Sequence, residues 1–421
     1  MTAAIVGRLF FPQSRVLGVD PDDSLSPGAL KKVVYAGANA RSFQRAARDL
    51  EELAELSVSA ARVRRATERI GAARVVERDQ EVERWRGLPL PEQRRSPHDH
   101  IPQVACVQPD GGRIQIRERT AESSDQDAAH GFWRETKVAC LLRFQSEKQA
   151  FDPCPTLPES FANIARMAEL SRGIKGYSAA PTEQEQALGE NEEQEEAARP
   201  GRPKILTRNV VATRAGIADF GAQVAARAWK SGFAAAPRKV FLADGQAANW
   251  SMWRDYFSHY TPVLDFVHAI CYVFNAAAVG RPLDEVATVY RRWAQAVWSG
   301  RVAEVIEELE TRRQELGEPQ ASDAVTHPRA VVAETLTYLR NQQLRMKYDQ
   351  YRRDGLPITT AHIESTIKQI NHRVKGSEKF WNETGAESLL QLTADYLSDQ
   401  APLNNFWQHR PTTRTGFRCN H

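Results

Sequence analysis

Ile363, Ile367, Ile370 and Val374 recur at the spacing of one buried helix face, and Glu364, Lys368, Asn371 and Lys375 repeat that spacing one residue later. The second stripe therefore borders the first, a position from which side chains can line a cleft. Arg373 adds another positive charge to the same helix. An ordinary surface pair between Glu364 and Lys368, contributing roughly a few tenths of a kcal/mol, satisfies this spacing too. The sharper alternative is a cation bound at Glu364 with a polyanion held by the basic groups.

Helical patterning also fills residues 1 to 88. Within it, "SFQRAARDLEELAEL" (42 to 56) and "AARVRRATERIG" (60 to 71) predict a helix-turn-helix, its second helix capped by Ser59 and stopped by Gly71. Arg62, Arg64, Arg65 and Arg69 lie on that second helix, where they would meet DNA phosphates or base edges. A solvated basic face on a helical hairpin gives the same pattern. The proline-rich stretch at 87 to 102 reads as a linker.

Beyond the linker the period changes to two. "VACVQ" (104 to 108) and "RIQIRE" (113 to 118) flank the turn sequence Pro-Asp-Gly-Gly, and "RETKVACLLRF" (134 to 144) supplies another strand, which together predict a three-stranded antiparallel start. Residues 178 to 203, rich in Glu, Gln and Pro, have no apolar face and read as a solvated acidic loop. A helix at 214 to 230 leads into "KVFLADG", a strand buried on both faces that opens at Asp244 on a polar site. "PVLDF" is a further strand running into a helix that contains His268, and residues 282 to 354 are amphipathic helices throughout. The expected plan is thus an α/β fold. It has a helical N-terminal region (1–88), a strand-rich part beginning at 103, and a basic tail (401–421).

Composition narrows the class. A chain of 421 residues with 42% hydrophobic content can bury a large core without staples. No apolar run approaches the ~20 residues of a membrane span, so the expectation is a cytoplasmic protein without a membrane partner. The five cysteines include no C-x-x-C pair, which gives no sign of a zinc ribbon or disulfide framework. Net charge is +3, but seven glutamates and no Lys or Arg fall between residues 183 and 196, leaving +10 on the remainder. That excess is compatible with a nucleic-acid partner.

Three acids stand where distant segments can gather them: Asp110 at the end of the first strand, Asp244 at the end of a buried one, and Glu364 at a helix start. Crowded carboxylates raise one another's pKa unless divalent cations sit between them. Asp110-Gly-Gly and Asp244-Gly245 also serve simply as turn sequences.

"VACVQPDGGRIQIRE", "FLADGQAANW", "VLDFVHA" and "IESTIKQINHRVKGSEKFW…GAESLLQLTADYLS" resemble, in order and spacing, the core blocks of DDE transposases of the Kra-type bacterial insertion sequences, distant relatives of Mutator-like transposases. The resemblance runs from about residue 28 to the end. It implies a ribonuclease H-like mixed-sheet core in two parts (103–276 and 355–400) interrupted by an all-helical insertion (277–354) before the last acid, with Asp110, Asp244 and Glu364 as the catalytic triad. In such enzymes the triad holds two Mg²⁺ ions, with Mn²⁺ as a substitute, and promotes hydrolysis at the element ends and attack of the freed 3′-hydroxyl on target DNA. DNA and a homo-oligomer assembled on it are the implied partners, with Lys368, Asn371, Arg373 and Lys375 as DNA contacts. Asp265 and His268 match the family's "DFxH" block. An auxiliary active-site or DNA-contacting role is implied for them; from the residues alone, a helix cap and a satisfied imidazole are the stronger reading. Trp250, Trp253 and Trp381 could stack on unpaired bases, although core packing is the stronger reading. Relatives carry a longer amino-terminal region with cysteine pairs that this chain lacks, so a truncated copy or a misassigned start is expected. A DNA-binding remnant without activity, or a nuclease that cannot join strands, are the alternatives.

Overall fold

The computed structural model describes residues 25–117, 132–174, 200–376 and 379–410. Its helices are α1 (Pro27–Asn39), α2 (Phe43–Ala54), α3 (Ala60–Arg86), α4 (Leu90–Gln93), α5 (Glu159–Ala162), α6 (Ile164–Ile174), α7 (Ile217–Lys230), α8 (Ala247–Tyr256), α9 (Phe266–Ala278), α10 (Leu283–Trp298), α11 (Val302–Leu316), α12 (Pro328–Gln342), α13 (Tyr348–Arg353), α14 (Ala361–Val374), α15 (Glu383–Tyr396) and α16 (Pro402–His409). The strands are β1 (Val104–Ile116), β2 (Trp133–Gln145), β3 (Lys204–Thr213), β4 (Arg238–Ala243), β5 (Thr261–Leu264) and β6 (Phe380–Trp381). They form one mixed six-stranded sheet in the order β3-β2-β1-β4-β5, with β6 paired to β1.

The strand start differs from the sequence expectation. "VACVQ" and "RIQIRE" are not two strands around a turn; they belong to one strand, β1, and Asp110 pairs with Val138 in its middle. Neither Gly111 nor Gly112 takes a left-handed backbone. Gly112 is required by close approach instead: a Cβ there would stand 2.9 Å from Thr136 Oγ1 on β2 and 4.0 Å from Asn371 Oδ1 on α14. The third antiparallel strand is β3, which pairs with β2. The count of three holds, but its members change.

α14 and α7 cover opposite faces of the sheet. Cys140 Sγ lies 3.2 Å from Thr366 Oγ1 of α14. Asn209, opposite the next residue Leu141, bonds Ser231 just after α7 at 3.2 Å. Successive residues alternate faces, so Asp110, opposite Val138, shares the α14 face with Cys140. The predicted stripe is what seats α14: Ile363, Ile370 and Val374 are buried and Ile367 partly so.

The helical insertion is present as α10 to α13 and shares one hydrophobic core with the sheet layers. The acidic loop, through residue 199, lies outside the described residues. Of the expected basic tail, residues 402–409 form α16 with Trp407 buried, and 411–421 lie outside the described residues. Among the described residues no helix is long and apolar enough to cross a membrane.

α1, α2 and α3 begin on Ser26, Ser42 and Ser59, each hydroxyl accepting the backbone N–H three residues on. Gly71 does not stop α3, which runs about four turns further at 3.6 residues per turn. The helix is held there by tertiary packing, with Gly71 against Ser388 of α15. Arg64 and Arg65 are exposed, Arg62 and Arg69 half-buried, and Arg64 pairs with Glu68 at 2.8 Å. The N-terminal helices share a cluster with Leu392, Leu403 and Trp407 from the last two helices. Residues 87–102 are strapped to the core, His98 Nε2 lying 3.1 Å from Lys230 O and Arg143 Nη2 donating to His100 O at 2.6 Å.

Arg373 is corrected by the structure. It is 1% exposed, donates from Nε to Gly37 O at 3.0 Å, and its guanidinium lies over the rings of Phe43 and Trp381. Burial pulls its pKa down to about 10. It joins α14 to the N-terminal helices and is inaccessible to DNA. Arg373→Ala is expected to cost about 2–4 kcal/mol in denaturant unfolding, from lost packing and an unpaired carbonyl, whereas Lys375→Ala should change stability by less than about 0.5.

Candidate functional site

The edge of β1 that faces β4 is open in its middle. β4 pairs with Val104 to Val107 and β6 with Gln115 and Ile116, so Asp110 lies in the gap between them. The register pairs Val104 with Arg238 and Val107 with Phe241, and continuing that offset brings Asp110 level with Asp244, one residue past the end of β4. β5 pairs Leu264 with Ala243, so Asp265 and Asp244 leave adjacent strand ends together. Ligands of parallel strands commonly sit at such carboxyl ends.

Asp265 organises this end. It is 0% exposed and caps α9, Oδ2 accepting His268 N at 2.8 Å and lying 2.7 Å from His268 Nδ1. Its Oδ1 accepts Thr360 N at 2.7 Å. Thr360 in turn begins α14, its carbonyl accepting Glu364 N at 3.2 Å and its hydroxyl donating to Glu364 Oε1 at 3.3 Å. One buried carboxylate therefore ties the segment carrying Glu364 to the strand ends carrying Asp244. The helix-cap reading of Asp265 and the partly buried imidazole of His268 are what the fold contains.

Asp244 is fixed from two sides. Its Oδ1 accepts Gln246 N at 3.0 Å and Asn249 Nδ2 at 2.8 Å. From the insertion, Tyr338 packs so closely on Gly245 that a Cβ there would stand 2.3 Å from the ring, and Gln342 Nε2 donates to Gly245 O at 3.4 Å. Tyr338 is stacked on Tyr272 of α9 at 3.9 Å. The insertion thus braces the turn that aims Asp244.

The acids feel one another. Burial raises the Asp110 carboxyl to about 7, the Gly111 N–H opposes that rise, and the charges of Asp244 and Glu364 add to it while His268 counters them. Partial desolvation likewise raises Glu364, with the Asp265 charge adding and His268, Lys368 and the Thr360 hydroxyl opposing, while the residue as a whole is exposed. Burial disfavours the charged form of His268, but the Asp265 bond and charge, with Asp244 and Glu364, raise it to about 9.

The donors are hard carboxylate oxygens, the kind Mg²⁺ prefers. Among the described residues, however, no three His, Cys, Asp or Glu side chains are arranged to hold one metal ion. Mg²⁺ usually takes one or two carboxylates and completes its shell with water and phosphate, so the chemistry of these donors suits it.

Lys368 and Lys375 are exposed and Asn371 half-buried down α14 from Glu364, with Lys375 Nζ 5.7 Å from the centre of the Trp133 ring. Trp250 and Trp381 are buried and Trp253 partly so, and Trp253 and Trp381 donate their indole N–H to Tyr260 O and Val374 O. They pack the core. Sequence reading overlooked Thr360, Asn249 and Tyr338. A polar residue just before a helical stripe was a usable signal for Thr360; nothing local marked Tyr338.

No family model matches the chain, and no curated protein matches it either.

An acid whose folded pKa lies above its unfolded value of about 3.9 takes up a proton on folding between the two. In metal-free buffer, stability should therefore fall as pH rises through the range ending at about 7 set by Asp110. Asp110→Asn should melt higher than wild type at alkaline pH and close to it in acid. Equal melting temperatures at both extremes would show that the carboxyl is not under electrostatic strain.

Proposed function

We propose that the chain is a DDE transposase, cleaving DNA at the ends of an insertion sequence and joining them to target DNA. What supports this reading is that the strand register brings Asp110 level with Asp244 at the open edge of β1, while Asp265, at the adjacent strand end, bonds the Thr360 amide that starts the helix carrying Glu364. The mixed sheet with its antiparallel start, and the all-helical insertion placed before Glu364, support a ribonuclease H-like core. The motif resemblance adds the substrate class.

Asp110, Asp244 and Glu364 would hold Mg²⁺, with Mn²⁺ as a substitute. When bound, a pair of such ions activates an attacking oxygen and offsets charge on the leaving one. The chain's own residues do the rest. Asp265 keeps Glu364 and His268 in register with the strand ends. Lys368 and Lys375, with Asn371 between them, give the DNA backbone a basic track leading to the acids. Arg64 and Arg65 present a second basic surface on α3 for DNA recognition, with Arg62 and Arg69 beside them. Assembly as a homo-oligomer on DNA in the bacterial cytoplasm belongs to the same reading. The lack of any three-ligand group among the described residues favours a second reading, a DNA-binding protein without catalysis.

Labelled DNA bearing the element ends, incubated with Mg²⁺, should yield nicks with 3′-hydroxyls and joined products, and chelation should stop both. Glu364→Gln should reduce cleavage to background while leaving DNA affinity nearly intact. Nicks without joining would indicate a nuclease, and binding alone the non-catalytic reading. Separately, Lys368→Ala and Lys375→Ala should each lower the slope of log affinity against log salt by about 1. An unchanged slope would remove that lysine from the DNA track.

A further inference from the structure

A cavity of about 520 Å³ lies away from the carboxylate crevice, where α3, α7, β3 and α15 meet the segment before β1. Small-molecule sites occupy roughly 300–1,000 Å³. Val82, Trp85, Leu88, Val210, Val211 and Trp229 form its apolar wall.

The charges around it are largely cancelled. Arg74 pairs with Asp395 at 2.8 Å and with Glu77, Arg78 with Glu387 at 2.7 Å, and Lys230 with Glu81 at 2.6 Å. Two lining arginines pair with no carboxylate among the described residues: Arg84, which is exposed and donates from Nε to Gln80 O at 3.2 Å, and Arg227, which is half-buried on α7. Burial depresses the Arg227 pKa, the more distant Asp395 and Glu81 only partly offset this, and Arg74 works against them. A cation so placed gains most from an anion brought against it. Two further groups are unsatisfied. Gln223 is only 7% exposed and lines the cavity, and neither its Oε1 nor Trp85 Nε1 has a hydrogen-bond partner among the described residues. An apolar wall with a half-buried guanidinium that lacks a paired carboxylate, one indole donor and one amide acceptor suits a small ligand with one negative charge and one donor group.

We propose that this cavity binds an apolar or aromatic monocarboxylate that also carries a hydroxyl, its carboxylate on Arg227 and its hydroxyl on Gln223. A dianion fits less well, because Glu81 and Asp395 stand in the same wall. Bound ligand would bridge the N-terminal helix α3 and the core elements α7 and β3.

The test is calorimetric titration of the full chain with three probes that share one body and differ in charge: 4-hydroxyphenylacetate, the neutral alcohol tyrosol and the cation tyramine. The carboxylate should bind at least about tenfold more tightly than the other two, and Arg227→Gln should abolish that preference. Arg227→Lys should keep it in part, which separates loss of charge from loss of fold. Phenylacetate, lacking the hydroxyl, should bind wild type more weakly and be indifferent to Gln223→Leu. No binding at millimolar concentration, equal affinity for all three charges, or an unchanged preference in Arg227→Gln would each overturn the assignment, and the probe comparison on wild type needs no variant to be stable.

Discussion

A buried carboxylate must be surrounded by donors, and the candidate site is organised around one, Asp265. Its two oxygens receive the amides of Thr360 and His268 and hold the imidazole, so the end of β5, the start of α9 and the start of α14 are fixed to a common point. Residues 265 and 360 are far apart in sequence, and closing so long a loop carries an entropic cost. Hydrogen bonds to a desolvated charge are among the stronger ones a protein makes, which suits them to this task. Glu364 is placed one helical turn beyond the clip and inherits its position from it.

The second constraint is the interrupted edge of β1. Because β4 stops pairing at Val107 and β6 begins only at Gln115, the sheet opens where Asp110 stands and admits neighbours from other layers. The insertion completes the enclosure, Tyr338 and Gln342 pressing on the turn after Asp244. Its role in the fold is therefore local support for one acid as well as bulk. Burial of the Asp110 carboxyl, with the charges of Asp244 and Glu364 adding to it, disfavours its ionised form.

The same helix that carries Glu364 also anchors the N-terminal region. Its outer stripe holds Lys368 and Lys375 in solvent, while Arg373 turns inward to the Gly37 carbonyl and two aromatic rings. One helix thus joins the carboxylate crevice to the three N-terminal helices. The unsatisfied cavity beneath α3 lies on another side of that junction.

Periodicity was sufficient to locate α14, the insertion helices, β4 and β5, because a stripe of Ile363, Ile370 and Val374 or a run such as Val240 to Ala243 has only one way to be buried. The serine caps were equally legible, since they act within three residues. Reading failed where the deciding partner was remote. Asp110-Gly-Gly has a turn's composition, yet β2 pairs across it and Thr136 leaves no room for a side chain at Gly112, so it stays extended. Gly71 looked like a helix stop until Ser388 packed against it, and Arg373 looked like a surface cation until Phe43 and Trp381 enclosed it. The chain's own pattern determined which segments become helices and strands; only tertiary packing decided which acids share a crevice and which basic groups reach solvent, because burial and charge proximity are properties of neighbours that local sequence does not contain.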